Sequence, residues 1–102
     1  MNSYIFTFAK IDREGLNRRS QPLYDALVGI RHIYDDCMLD IILGYIWANE
    51  WELAAENMAL DILDKNLTIS LKTYEAIERI VIEYPTKIKV DLKDLKSQIG
   101  QQ

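Results

Sequence analysis

The side chains able to do chemistry are few, and their spacing gives them no joint task. His32 is the only histidine and Cys37 the only cysteine. A hydrolytic triad needs a base that is oriented by a carboxylate and placed beside a nucleophile. His32 and Cys37 are five positions apart, on different faces of any continuous helix. His32 therefore reads as a partly buried helix residue. Cys37 sits in a strongly apolar stretch and reads as an inert packing thiol. One Cys and one His cannot supply a structural zinc site. Glu-x-x-His pairs, an EF-hand loop and a glycine-rich phosphate loop are absent. Asp36 and Asp40 are one helical turn apart, as are Glu52 and Glu56, and such pairs hold a hard cation only weakly. No catalytic residue, metal site or cofactor is assigned, and the chain reads as a binder rather than an enzyme.

The carboxylates are more informative than the nucleophiles. The net charge is −4, which argues against direct binding to nucleic acid. Its distribution says more. Residues 1–32 hold five basic and three acidic side chains, and residues 65–102 hold seven basic and five acidic. Between them, residues 33–64 carry eight carboxylates and no Lys or Arg: Asp35, Asp36, Asp40, Glu50, Glu52, Glu56, Asp61 and Asp64. Like charges one turn apart repel by a few tenths of a kcal/mol. Such a segment is either the solvated face of an acidic protein or a docking face for a basic one, where it would speed and steer the encounter. Trp47 and Trp51 lie in the same segment. Either both are core, or one is exposed near the Asn49-Glu50 turn as an anchor ringed by carboxylates, the usual anatomy of a binding hot spot.

These residues must be positioned by helices. At 102 residues the chain suits one domain with a single core. The apolar periodicity predicts a small all-α bundle of four to five helices, with no internal repeat. Residues 1–19 are read as an extended arm or a short helix; Tyr4 to Ile11 has strand-like residues but no partner strand. Ser20 or Gln21 precedes a helix with Pro22 in its first turn, and Leu23, Leu27, Ile30 and Tyr34 follow at helical spacing. Asp35-Asp36 either ends that helix or caps the next. Met38 to Trp47 is apolar around most of its circumference and is expected to be the central helix. Trp51 to Lys65 carries the stripe Ala54, Ala55, Met58, Ala59 and Ile62. Asn66 is a plausible C-terminal cap and Ser70 an N-cap. Tyr74, Ile77, Ile80, Val81 and Tyr84 continue until Pro85 stops the helix. Asp91 caps a last short helix with Leu92, Leu95 and Ile99, and Gly100 follows.

Location follows from the same reading. A lone thiol fits a reducing compartment. No signal peptide is apparent, and the apolar run from Cys37 to Ala48 is too short and too charged to span a bilayer. Cytoplasm is expected, with no membrane partner; there the glycosylation sequon Asn66-Leu67-Thr68 has no meaning.

Residues 36–82 also resemble a known family. Ile42 to Trp47 is an apolar helix, Ala48-Asn49-Glu50 a short turn, and Trp51-Glu52-Leu53-Ala54 the opening of the next helix. Asp61-Ile62-Leu63-Asp64, Ile69-Ser70 and Tyr74-Glu75-Ala76-Ile77 follow. This is similar to small helical bacterial immunity proteins of the MafI type and of contact-dependent growth inhibition systems. Asn49 stands where that family commonly has Gly. The resemblance implies a protein that binds and neutralises a cognate toxin domain, in many cases a nuclease, by occluding its active or functional surface. The candidate toxin-binding residues are Asp35, Asp36, Asp40, Glu50, Trp51, Glu52, Glu56, Asp61 and Asp64. The alternatives are a helical adaptor or regulatory subunit for a basic protein partner, and a nucleic-acid regulator using Arg13, Arg18 and Arg19. The apolar and aromatic content leaves room for a homodimer.

Overall fold

A computed structural model describes residues 11–100. Its architecture is an all-α bundle of five helices, joined by two single 3-10 turns and no strands among the described residues. The helices are α1 (Gln21–Ile30), α2 (Asp36–Trp47), α3 (Trp51–Asp64), α4 (Leu71–Glu83) and α5 (Leu92–Lys96). The predicted arm or helix over residues 1–10 lies outside the described residues.

Local chemistry sets most of the boundaries. Asp35 caps α2, its carboxylate accepting from Met38 N–H at 2.8 Å. Ser70 caps α4 by accepting from Thr73 N–H at 3.1 Å, and Asp91 caps α5 by accepting from Lys93 N–H at 2.9 Å. Each satisfies an amide that a helix start leaves unpaired. Pro22 occupies the first turn of α1, where its missing N–H costs nothing. Helices α2 and α3 both end at an asparagine in the left-handed region, Asn49 at φ 61° and Asn66 at φ 50°. Glu50 N–H then reaches Tyr45 O (2.8 Å), and Leu67 N–H reaches Ile62 O (2.9 Å). Both are the reversal that satisfies the last carbonyls of a helix.

One core is shared by all five helices, and α3 lies at its centre. The stripe on α3 holds as expected: Ala54, Ala55, Met58, Ala59 and Ile62 are wholly buried. Helix α3 touches α1, α2, α4 and α5, and α4 packs along α1 and α3. Helix α2 is therefore not the central helix. It buries Ile42, Leu43 and Ile46, while Ile41 and Trp47 stay 41% and 50% exposed. Centrality follows from small residues: alanines admit neighbours on several sides, whereas Ile and Trp fill the space a neighbour would need.

Three further expectations are corrected. Helix α1 does not run on to Tyr34 but stops at Ile30, and the 3-10 turn Arg31–Ile33 redirects the chain. His32 lies in that turn and is exposed. Cys37 is exposed as well, because the first turn of α2 points it away from the core. At the far end, residues 98–100 clip onto the α3–α4 loop. Ile69 N–H bonds Gln98 O and Gly100 N–H bonds Ile69 O, both at 2.9 Å. A Cβ at Gly100 would stand 2.7 Å from Thr68 Cγ2, so a larger residue there would make the Thr68 side chain shift.

Candidate functional site

The acidic segment folds into one antiparallel hairpin, α2–turn–α3. Its turn is fastened from below by Ser20, a wholly buried side chain at the start of α1. Ser20 Oγ accepts from Trp51 Nε1 at 2.7 Å. Its single proton is shared between Ile46 O (3.2 Å) and Asn49 Oδ1 (3.1 Å). The Arg19 guanidinium lies 4.5 Å from the Trp51 ring centroid and pairs with Glu83 at the end of α4. Trp51 thus ties the starts of α1 and α3 to the end of α4. It is half-buried against the core, and the more exposed tryptophan of the pair is Trp47.

The open end of the hairpin is held by Tyr34, whose hydroxyl donates to Asp61 at 2.6 Å. Burial and then this hydrogen bond push the Tyr34 phenol well above its ordinary range, since both disfavour the phenolate. On the other flank of α3, Glu56 accepts from the Lys89 backbone N–H at 3.3 Å, fastening the connector between α4 and α5.

The nine sequence-predicted residues therefore divide by task and by place. Asp35, Trp51, Glu56 and Asp61 hold the fold together. Asp40 is half-buried on α2. Asp36, Glu50 and Asp64 are exposed and Glu52 is partly so. These four enter no ion pair or side-chain hydrogen bond among the described residues. They do not form one face. At 100° per residue, Glu52 and Glu56 fall on one flank of α3, and Asp61 and Asp64 on the other. Asp36 and Asp64 mark the open end, and Glu50 and Glu52 the turn. Asp61 and Asp64 occupy the last turn of α3, against the helix dipole, and the nearest basic residue in the chain is the C-cap Lys65.

Two arginines outside the hairpin are engaged by the fold. Arg13 holds Asp25 through two bonds of 2.7 Å and also pairs with Glu14. With Arg19 on Glu83 and Trp51, two of the three arginines considered for nucleic acid are neutralised internally. Sequence reasoning placed Ser20 only ahead of α1, without its link to Trp51, and assigned nothing to a groove of about 390 Å³ between α1 and α4. Small residues floor that groove (Ala26, Gly29, Thr73 and Ala76), and Lys72 and Arg79 stand on its rim. Gly29 facing a buried Thr73 one helix away is a juxtaposition that spacing along the chain cannot show.

Among the described residues no three His, Cys, Asp or Glu side chains are grouped to hold a metal ion, and no helix is long and apolar enough to cross a membrane. No protein-family model matches this chain, and no curated protein and no solved structure is similar to it.

Proposed function

We propose that this chain is an immunity protein: it binds a cognate toxin domain, and the α2–α3 hairpin is the surface it offers to that basic partner. One observation carries the reading. Among the described residues Asp36, Glu50, Glu52 and Asp64 enter no ion pair, while Arg13 and Arg19 pair with acidic residues elsewhere. A carboxylate set left uncompensated by its own chain suits a partner that brings Lys and Arg. A nuclease domain carries such residues to hold phosphates. Carboxylates that meet them would cover the substrate surface, so neutralisation is by occlusion and involves no reaction. The resemblance of residues 36–82 to immunity proteins supports the same reading.

The test is a calorimetric titration against the C-terminal domain of the protein encoded immediately upstream, at low and moderate salt. The variants Glu50→Lys/Glu52→Lys and Asp36→Lys/Asp64→Lys spare the carboxylates that hold the fold. Nanomolar or tighter binding is expected, weakened by salt and by at least one charge-reversed pair. Tight binding that ignores both pairs would move the interface off the hairpin. No binding would end the toxin reading for that partner, leaving a helical adaptor for some other basic protein.

A further inference from the structure

Helices α1 and α4 run antiparallel. Arg19, just before α1, pairs with Glu83 at the end of α4, and Gly29 near the end of α1 faces Thr73 near the start of α4. The groove of about 390 Å³ between them is within the size range of small-molecule sites. No residue of the α2–α3 hairpin lines it, and Pro22, Ala26 and Ala76 make its floor apolar. A Cβ at Gly29 would stand 3.4 Å from Thr73 Oγ1, so the missing side chain keeps space beside that hydroxyl. Thr73 is only 6% exposed. Its Oγ1 lies 3.1 Å from Ser70 Oγ, which also accepts from Thr73 N–H. The hydroxyl pair uses one of its two protons. The other meets no acceptor among the described residues, and both hydroxyls line the groove.

Four charged side chains line the same groove: Asp25, Lys72, Glu75 and Arg79. Asp25 is already held by Arg13 through two bonds of 2.7 Å. Lys72 and Arg79 enter no ion pair among the described residues, and neither does Glu75 between them. Two cations against one carboxylate leave a surplus of a single positive charge, in a chain whose net charge is −4. Lys72 and Arg79 are seven residues apart, about 10 Å along α4, so they stand toward opposite ends of the groove.

We propose that the α1–α4 groove binds a small aromatic monocarboxylate. Its carboxylate sits at Lys72 and the Ser70–Thr73 hydroxyls, and its ring lies along the apolar floor toward Arg79. Charge selects the anion. One negative charge matches the surplus and accepts the spare hydroxyl proton, whereas a phosphate dianion would also press on Glu75. The ring is selected by Arg79, because a guanidinium stacks on a flat aromatic face. This site does not depend on the reading of the hairpin.

The test follows backbone amide shifts of the isotope-labelled full-length protein by NMR during titration with naphthoate, with naphthylmethanol as the neutral control. Saturable shifts are expected at Gly29, Thr73 and Ala76, with the alcohol about tenfold weaker for want of a charge-assisted contact. Lys72→Gln/Arg79→Gln, at two exposed positions, is expected to weaken naphthoate about fivefold, as for surface charges. Gly29→Leu places a side chain in the groove and is expected to abolish binding. Leucine suits a helix better than glycine, so shifts away from the groove are expected to stay unchanged. No saturable shift at these amides with millimolar naphthoate would overturn the proposal. Equal binding of the alcohol, or naphthoate binding that survives both variants, would also overturn it. Should Gly29→Leu unfold, the charge variant decides alone: unweakened binding there sinks the site.

Discussion

Ser20 is where the start of α1 meets the hairpin turn, and its hydroxyl is fully used. Removing it leaves the Trp51 indole N–H without an acceptor in a water-poor site. Ser20→Ala is expected to lower stability by about 1–3 kcal/mol, the cost of an orphaned buried donor, read as a lower urea midpoint with an unchanged slope. A loss below a few tenths would mean that water replaces the hydroxyl. Tyr34 governs alkaline behaviour. Its phenol is held above its ordinary value by burial and then by Asp61, and that of Tyr74 by burial and then by Glu78. A raised folded-state value means the folded chain keeps protons that the unfolded chain releases. The associated stability is whole below the unfolded tyrosine pKa of about 10 and declines as pH rises past it. Urea midpoints are expected to fall steadily above about pH 10, and Tyr34→Phe to flatten that fall while starting from a lower midpoint. An equal slope in the variant would remove Tyr34 as the cause.

Among the elements, the two helix ends at Asn49 and Asn66 share one geometry and one explanation. Both residues sit at positive φ, where an L residue other than Gly, Asn or Asp is strained. This is why Asn can stand at positions 49 and 66. Asn66→Gly is expected to be near neutral and Asn66→Val to cost about 1–2 kcal/mol, measured by thermal unfolding; equal effects would show that the αL position is not what Asn66 supplies. The caps at Ser70 and Asp91 and the alanine stripe of α3 were legible for a related reason. Capping and 3.6-residue periodicity depend on neighbours within a few residues. The inward side of α2 was not legible. A helix apolar on nearly every side gives no local sign of which side the bundle covers, so Cys37 and Ile41 could not be placed without knowing where α3 lies.

Taken as a whole, the molecule gathers eight carboxylates in residues 33–64 and carries its Lys and Arg on either side of that segment. That arrangement costs stability where like charges gather, and the last turn of α3 is the sharpest case. Asp64→Lys is expected to raise stability by about 0.3–1 kcal/mol, because it replaces an anion at the negative end of a helix with a cation, and, if the proposed function holds, to weaken binding of the basic partner in the same preparation. Stability gained together with binding lost is the usual signature of a residue kept for function. Stability gained with binding unchanged would confine Asp64 to a solvated surface.

By itself the sequence determined the all-α class, the caps at Ser70 and Asp91, the buried stripe of α3 and the concentration of eight carboxylates in residues 33–64. All of these rest on local spacing or on composition. Only the tertiary structure decided that α3 and not α2 lies at the centre, that Trp51 is bound to Ser20 while Trp47 is the more exposed, and that the carboxylates divide between two flanks and two ends. The physical reason is the same in each case. Which side of an element meets water depends on partners distant in the chain, such as Ser20 under Trp51 or Tyr34 beside Asp61, and no short window of residues contains both.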